Sequence, residues 1–127
     1  MKQPYQINID QKTNQNQYFR EVLTTTDHAQ LVVMSLKLGE EIGLETHNLD
    51  QYLFFVQGSG ETRLDGKIGT FEAGDVVVVP QGTEHNFTNT GTEEVKLFTV
   101  YAPAEHTDGT IHKTKAEADA AEAEDHA

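Results

Sequence analysis

The dipeptide Asp65-Gly66 lies between two runs, Glu61 to Leu64 and Lys67 to Phe71, whose composition suits strands. An Asp-Gly link takes positive φ at both positions and closes an antiparallel hairpin, the strongest local constraint in this chain. Similar runs surround it: Tyr18 to Thr24, Gln30 to Leu38, Gln51 to Val56, Asp75 to Val79, His85 to Asn89 and Val95 to Tyr101. β-Branched and aromatic residues concentrate there, while Gly39, Gly58, Gly60, Gly74 and Gly82 punctuate at intervals that fit short strands and tight turns. No helical period of adequate length interrupts them. The pattern predicts an all-β sandwich or barrel. Four consecutive valines, Val76 to Val79, predict a strand buried on both faces, which Pro80 ends by removing a ladder donor.

A chain of 127 residues predicts one domain with a modest core, here residues 18–113. Residues 1–17 are Gln/Asn-rich and read as a loose polar arm with one short strand at Tyr5 to Ile9. Residues 114–127 read as an acidic Ala/Glu-rich tail, at most a frayed helix with no apolar stripe to dock it. The net charge of -12 repels nucleic-acid phosphates and anionic membranes, so neither is an expected partner. With no cysteine, disulfides, thiolate metal sites and cysteine nucleophiles are excluded. The polar start and the lack of any apolar run longer than five residues (Tyr52 to Val56) predict a soluble cytoplasmic protein.

Candidate chemistry centres on the stretch Glu45-Thr-His47-Asn-Leu-Asp-Gln51. Residues i and i+2 of a strand share a face, so Glu45 and His47 project together. Gln51 follows a polar turn and returns on the next strand, and His85 opens another just after the proline-terminated valine run. Two imidazoles, one carboxylate and one amide oxygen form a set competent to hold a divalent ion. A Glu-x-His pair is also common on solvent faces, so spacing alone does not assign a metal.

From Gly39 to Asn89 the chain resembles the cupin superfamily. The first cupin motif is Gly, five residues, His-x-His, three or four residues, Glu, six residues, Gly; Gly39, Glu45, His47, Gln51 and Gly58 fall at those spacings. The second is Gly, five residues, Pro-x-Gly, two residues, His, three residues, Asn, and Gly74, Pro80, Gly82, His85 and Asn89 match it without a gap. The resemblance implies a double-stranded β-helix, the cupin jelly-roll β-barrel. It carries metal ligation over to Glu45, His47, Gln51 and His85, with Glu where the family has His and Gln where it has Glu. One carboxylate is kept, moved to the other end of the motif. Such a set suits Mn, Fe, Ni or Zn, with the amide of Gln51 as the weakest donor. Glu45 is also a candidate catalytic base beside the ion.

Small cupins similar to this chain carry a segment folding back over the barrel mouth, which makes Tyr101 and His106 candidate ligand contacts. The resemblance further implies a homodimer formed through N-terminal strands, here Tyr5 to Ile9 and Tyr18 to Thr24. Its first functional implication is a metal-dependent enzyme of the mannose-6-phosphate isomerase-like type, acting on a small polar carbonyl or hydroxyl compound. A non-catalytic small-ligand-binding module and an Fe(II)-dependent dioxygenase are the alternatives. Arg63, Lys37 and Lys96 read as solvated strand cations, which weighs against a phosphorylated substrate.

Overall fold

A computed structural model of the chain describes residues 3–125. The eight strands expected within residues 18–113 are all present: β1 Arg20–Thr25, β2 Gln30–Leu36, β3 Asp50–Gln57, β4 Ser59–Leu64, β5 Lys67–Glu72, β6 Val76–Val79, β7 His85–Asn89 and β8 Val95–Ala102. A ninth, β9 Ile111–His112, and two helices, α1 Ile9–Gln15 and α2 Lys115–Asp125, complete the elements. A six-stranded sheet has the order β6-β3-β8-β2-β1-β9, and a three-stranded sheet the order β5-β4-β7. Asp65 and Gly66 have φ of +50° and +81°, and Leu64 pairs with Lys67, so the Asp-Gly hairpin forms as its chemistry requires.

Strand alternation sends Val32, Met34, Leu36, Leu53, Phe55 and Leu97 inward from the large sheet against Phe71 and Phe87 of the small one. Phe55 stacks on Phe71 with ring centroids 4.0 Å apart. Each such side chain, fully buried, contributes roughly 1.5–3 kcal/mol.

The valine run departs from expectation. β6 is an edge strand paired only with β3; Val76 and Val78 are about half exposed while Val79 is buried and Val77 packs against the core. An unbroken apolar run marks a buried strand only when both its faces are covered, and here Val76 and Val78 are left about half exposed.

The N-terminal strand at Tyr5 to Ile9 is absent. Residues 3–8 have no regular structure, and the Asn8 side chain caps α1 by accepting from Gln11 N at 2.9 Å. Local capping and a run of helix-compatible Gln and Lys outweigh the β propensity of Tyr5 and Ile7. The second expected pairing segment, β1, is flanked by β2 and β9 of the same chain. Lys96 is not solvated either: its Nζ donates to Asn16 O at 2.5 Å and Ser35 Oγ at 3.1 Å, tying the end of α1 to the sheet.

The tail docks. Ala118 is buried in the core cluster, and Lys115 Nζ donates to Ile42 O at 3.1 Å while lying over the Phe19 ring. Alanines present too little apolar area to register as a stripe, so the docking of α2 is invisible to a hydrophobic period. Among the described residues no helix is long and apolar enough to cross a membrane.

Candidate metal centre

Backbone pairing brings the two motifs together before any side chain is considered. Glu45 N donates to His85 O at 3.0 Å and His85 N to Glu45 O at 2.9 Å, so the two residues sit directly opposite one another. The turn of the second motif, with Gly82 at φ +85°, directs Gly82 N onto His47 O at 2.9 Å. Gln81 N donates to Asp50 Oδ1 at 2.9 Å, pinning the same turn to the start of β3. A β-carbon at position 82 would demand a left-handed conformation that most residues avoid, so the match to the second motif has a backbone cause.

Glu45, His47 and His85 each offer one ligand atom, and these lie within 4.8 Å of one another. His47 Nε2 is 2.5 Å from Glu45 Oε2. Its other nitrogen, Nδ1, lies 3.1 Å from Glu105 Oε2, and His85 Nδ1 lies 2.8 Å from Thr83 O. Both rings are thus held through Nδ1, which leaves Nε2 of each for the centre. Outer partners of this kind fix ring orientation and raise the basicity of a ligating imidazole.

Gln51 is buried on the inner side of β3, with Nε2 donating to Thr99 Oγ1 at 3.1 Å. Its Oε1 is buried and has no hydrogen-bond partner. An orphaned carbonyl oxygen at this motif position fits a fourth donor for a divalent ion, and the ring arrangement fits the other three. Asn89, the last residue of the second motif, is structural, since its amide donates to Leu36 O and Glu93 O, both at 3.0 Å.

The electrostatics match the geometry. Burial disfavours charge on His47, yet the bonds to Glu105 and Glu45 outweigh it and raise its pKa to about 9. Burial also opposes ionisation of Glu45, but the contacts with His47 prevail and hold its carboxyl below the usual range. Burial lowers His85, so its imidazole is neutral and ready to donate a lone pair.

Glu45 and His47 of the triad line a cavity of about 560 Å³ whose walls also include Glu105, His106, Arg20 and residues of α2, while His85 is buried outside the lining. Tyr101 meets His47 edge-on with centroids 6.0 Å apart, and His106 meets Tyr101 at 5.3 Å. His106 lines the cavity; Tyr101 lies behind it. Burial, with Arg20 beside it, lowers the His106 pKa to about 3, so that ring is neutral. Arg20, Glu105 and His112 are the cavity residues that sequence reasoning missed. Arg20 carried one legible signal, since an arginine at the start of an alternating apolar strand faces inward with Val22. Glu105 and His112 lie in a segment without periodicity and had none.

Comparison with known proteins gives a consistent result. The chain is 45% identical to YrkC of Bacillus subtilis (strain 168), across 94% of this chain and 68% of that one. It is 38% identical to L612 of Acanthamoeba polyphaga mimivirus, across 86% of this chain and 71% of that one. The crystal structure of BH2720 from Bacillus halodurans superposes with a TM-score of 0.91 at 39% identity, covering 93% of this chain and 95% of that one. The sequence model of the cupin domain matches residues 32–101, the span that holds both motifs and every strand from β3 to β8, and the chain belongs to that family.

Proposed function

We propose that the chain is a metal-dependent enzyme of the sugar isomerase-like type, acting on a small polar carbonyl or hydroxyl compound. The observation that carries this reading is the convergence of two imidazoles and a carboxylate within 4.8 Å, with Glu45 and His47 lining a polar cavity of about 560 Å³. Glu45, His47 and His85 hold the ion, which is Mn, Fe, Ni or Zn, with Gln51 Oε1 as the fourth donor. A bound divalent ion supplies Lewis acidity, polarising a carbonyl or hydroxyl oxygen of the substrate. The chain supplies the rest. Glu105 and Thr83 keep the two rings in place, and the Glu45 carboxylate oxygen that is not on the ion takes a proton from a carbon or oxygen adjacent to the polarised group. Tyr101 does not serve as a base, because burial pushes its hydroxyl far above the usual range.

The polar lining of Arg20, His106 and Glu105 favours a hydrophilic substrate over the apolar ring compounds that suit a dioxygenase pocket. Homodimerisation belongs to the same proposal; the exposed Tyr52, Val76 and Val78 on the outer face of the large sheet motivate it, and light scattering tests it.

Elemental analysis of untagged protein, followed by solvent-deuterium exchange into a panel of aldoses and ketoses, tests the reading. Near-stoichiometric metal and exchange that depends on it are expected. Folded protein that takes up no Mn, Fe, Ni or Zn sinks the metal centre. Saturable sugar binding without exchange leaves a binding module in place of an enzyme.

A further inference from the structure

Arg20 is charged at any physiological pH, yet it is only 6% exposed on the inner side of β1. Its Nη1 lies 3.1 Å from His112 Nδ1, it shares a hydrogen bond with the Tyr101 side chain, and its guanidinium carbon is 5.2 Å from the Phe19 ring centroid. None of these contacts supplies a carboxylate. Among the described residues no carboxylate comes within 4 Å of the guanidinium, and Nε is buried with no hydrogen-bond partner. A cation left in this state is costly, and proteins rarely keep one for packing alone. Arg20 also lines the cavity that Glu45 and His47 line, and His106 lines it too, with its buried Nε2 lacking a partner.

We propose that Arg20 binds the carboxylate of a small organic acid in this cavity, with His106 as a second polar contact. The acid's remaining oxygens then face Glu45 and His47. A planar guanidinium matches a carboxylate through two parallel hydrogen bonds. Phosphate shares that chemistry but brings more negative charge, and Arg20 is the sole Lys or Arg among the lining residues. Glu45, Glu105 and Glu122 line the same cavity, which selects a monoanion over a dianion. A hydroxy or keto acid satisfies both ends. The far end of this ligand rests on the metal reading proposed above; the Arg20 end does not.

The test is calorimetric titration of the nickel-loaded and metal-free full chain with glycolate, lactate and D-gluconate. Each acid is set against its neutral counterpart: ethylene glycol, propane-1,2-diol and D-glucitol. At least one acid saturates the wild type, its neutral counterpart binds at least about tenfold more weakly, and Arg20→Met loses at least about tenfold in affinity for the acid alone. Arg20→Lys falls between, and the metal content of Arg20→Met stays that of the wild type. Because the chain has two arginines, the Arg20 Nε–H resonance is identified with Arg63→Lys and followed during the same titration, which keeps the test intact if Arg20→Met misfolds. Equal binding of acid and neutral compound, unchanged affinity in Arg20→Met, an unmoved Arg20 resonance, or no saturation by any acid overturns the proposal. Inorganic phosphate binding more tightly than every acid overturns the carboxylate class. Acid binding that depends on Arg20 in protein unable to take up metal removes the metal centre and leaves this inference standing.

Discussion

Gln51 Nε2 donates to Thr99 Oγ1 at 3.1 Å, and that hydroxyl spends its single hydrogen on the Tyr52 carbonyl oxygen 2.9 Å away. The hydroxyl oxygen can therefore only accept from position 51. An amide has a hydrogen to give and an ionised carboxylate has none. Thr99 thus accounts for Gln at a motif position where the family has Glu, and Glu45 supplies the carboxylate that position 51 lacks.

Gln51→Glu is accordingly expected to destabilise the metal-free protein by about 1–3 kcal/mol at neutral pH, the usual cost of an unpaired buried group. The penalty shrinks at low pH, where the new carboxyl protonates and can donate. Adding Thr99→Val removes the opposed oxygen and recovers part of the loss. Urea denaturation of the wild type and the two variants at pH 5 and pH 7.5 checks this; identical midpoints for wild type and Gln51→Glu would refute the account.

Glu105 acts on the centre through His47, to whose Nδ1 it is held at 3.1 Å. Partners of this type typically contribute 10–100-fold to metal affinity. Glu105→Gln keeps a hydrogen-bonding group but removes the charge, so a loss near tenfold is expected, with Glu105→Ala toward the upper end. Competition titration against a chromophoric chelator measures both. Unchanged affinity in Glu105→Ala would mean that Glu105 only closes the cavity wall.

The pH dependence has two opposite signs at one residue. In metal-free protein the His47 pKa is raised from 6.5 to about 9. Its charged form therefore contributes stability that is complete below pH 6.5 and lost as pH rises through about 9. Ligation needs the neutral ring, so metal binding displaces that proton and affinity rises with pH, by roughly tenfold per unit between 6.5 and 9. Thermal melts with chelator should fall over this window while Ni affinity climbs. On the acid side, the lowered pKa of Glu45 adds stability that is lost as pH falls through its folded value. A metal affinity that is flat between pH 6.5 and 8.5 would show that His47 is not a ligand.

The strands were legible because their signals are local. Alternation, Asp65-Gly66 and the motif glycines each act within a few residues, so β1 to β8 fall close to where composition puts them. Glu45, His47 and His85 were singled out for a different reason, the resemblance to the two cupin motifs rather than spacing alone, and the fold sets Glu45 opposite His85 and brings the three together. What escaped were interactions with no period. The Lys115 contact to Ile42 O that seats α2, the Glu105 bond to His47 and the Arg20 contact with His112 each join residues far apart in the chain. The four valines misled in a third way, because a run of one residue type cannot say whether its second face is covered.

Lys96 offers the sharpest test of the N-terminal helix. Its Nζ reaches Asn16 O, Ser35 Oγ and Glu94 Oε1, the last at 3.2 Å, while the side chain is buried in β8. Removing it leaves the Asn16 carbonyl without this donor and opens a void under α1, so Lys96→Ala is expected to cost about 2–4 kcal/mol. Lys96→Met keeps most of the packing and removes the buried charge, which places its cost well below that of Ala. Glu94 is a partly exposed partner, and Glu94→Ala should cost under about 1 kcal/mol. The order Ala, then Met, then the Glu94 change distinguishes packing and backbone anchoring from ion pairing. Hydrogen exchange supplies a second readout, since amides of residues 9–15 should lose protection in Lys96→Ala ahead of those in β2 and β8. Should Glu94→Ala prove as damaging as Lys96→Ala, the ion pair and not the Asn16 anchor holds α1 to the sheet.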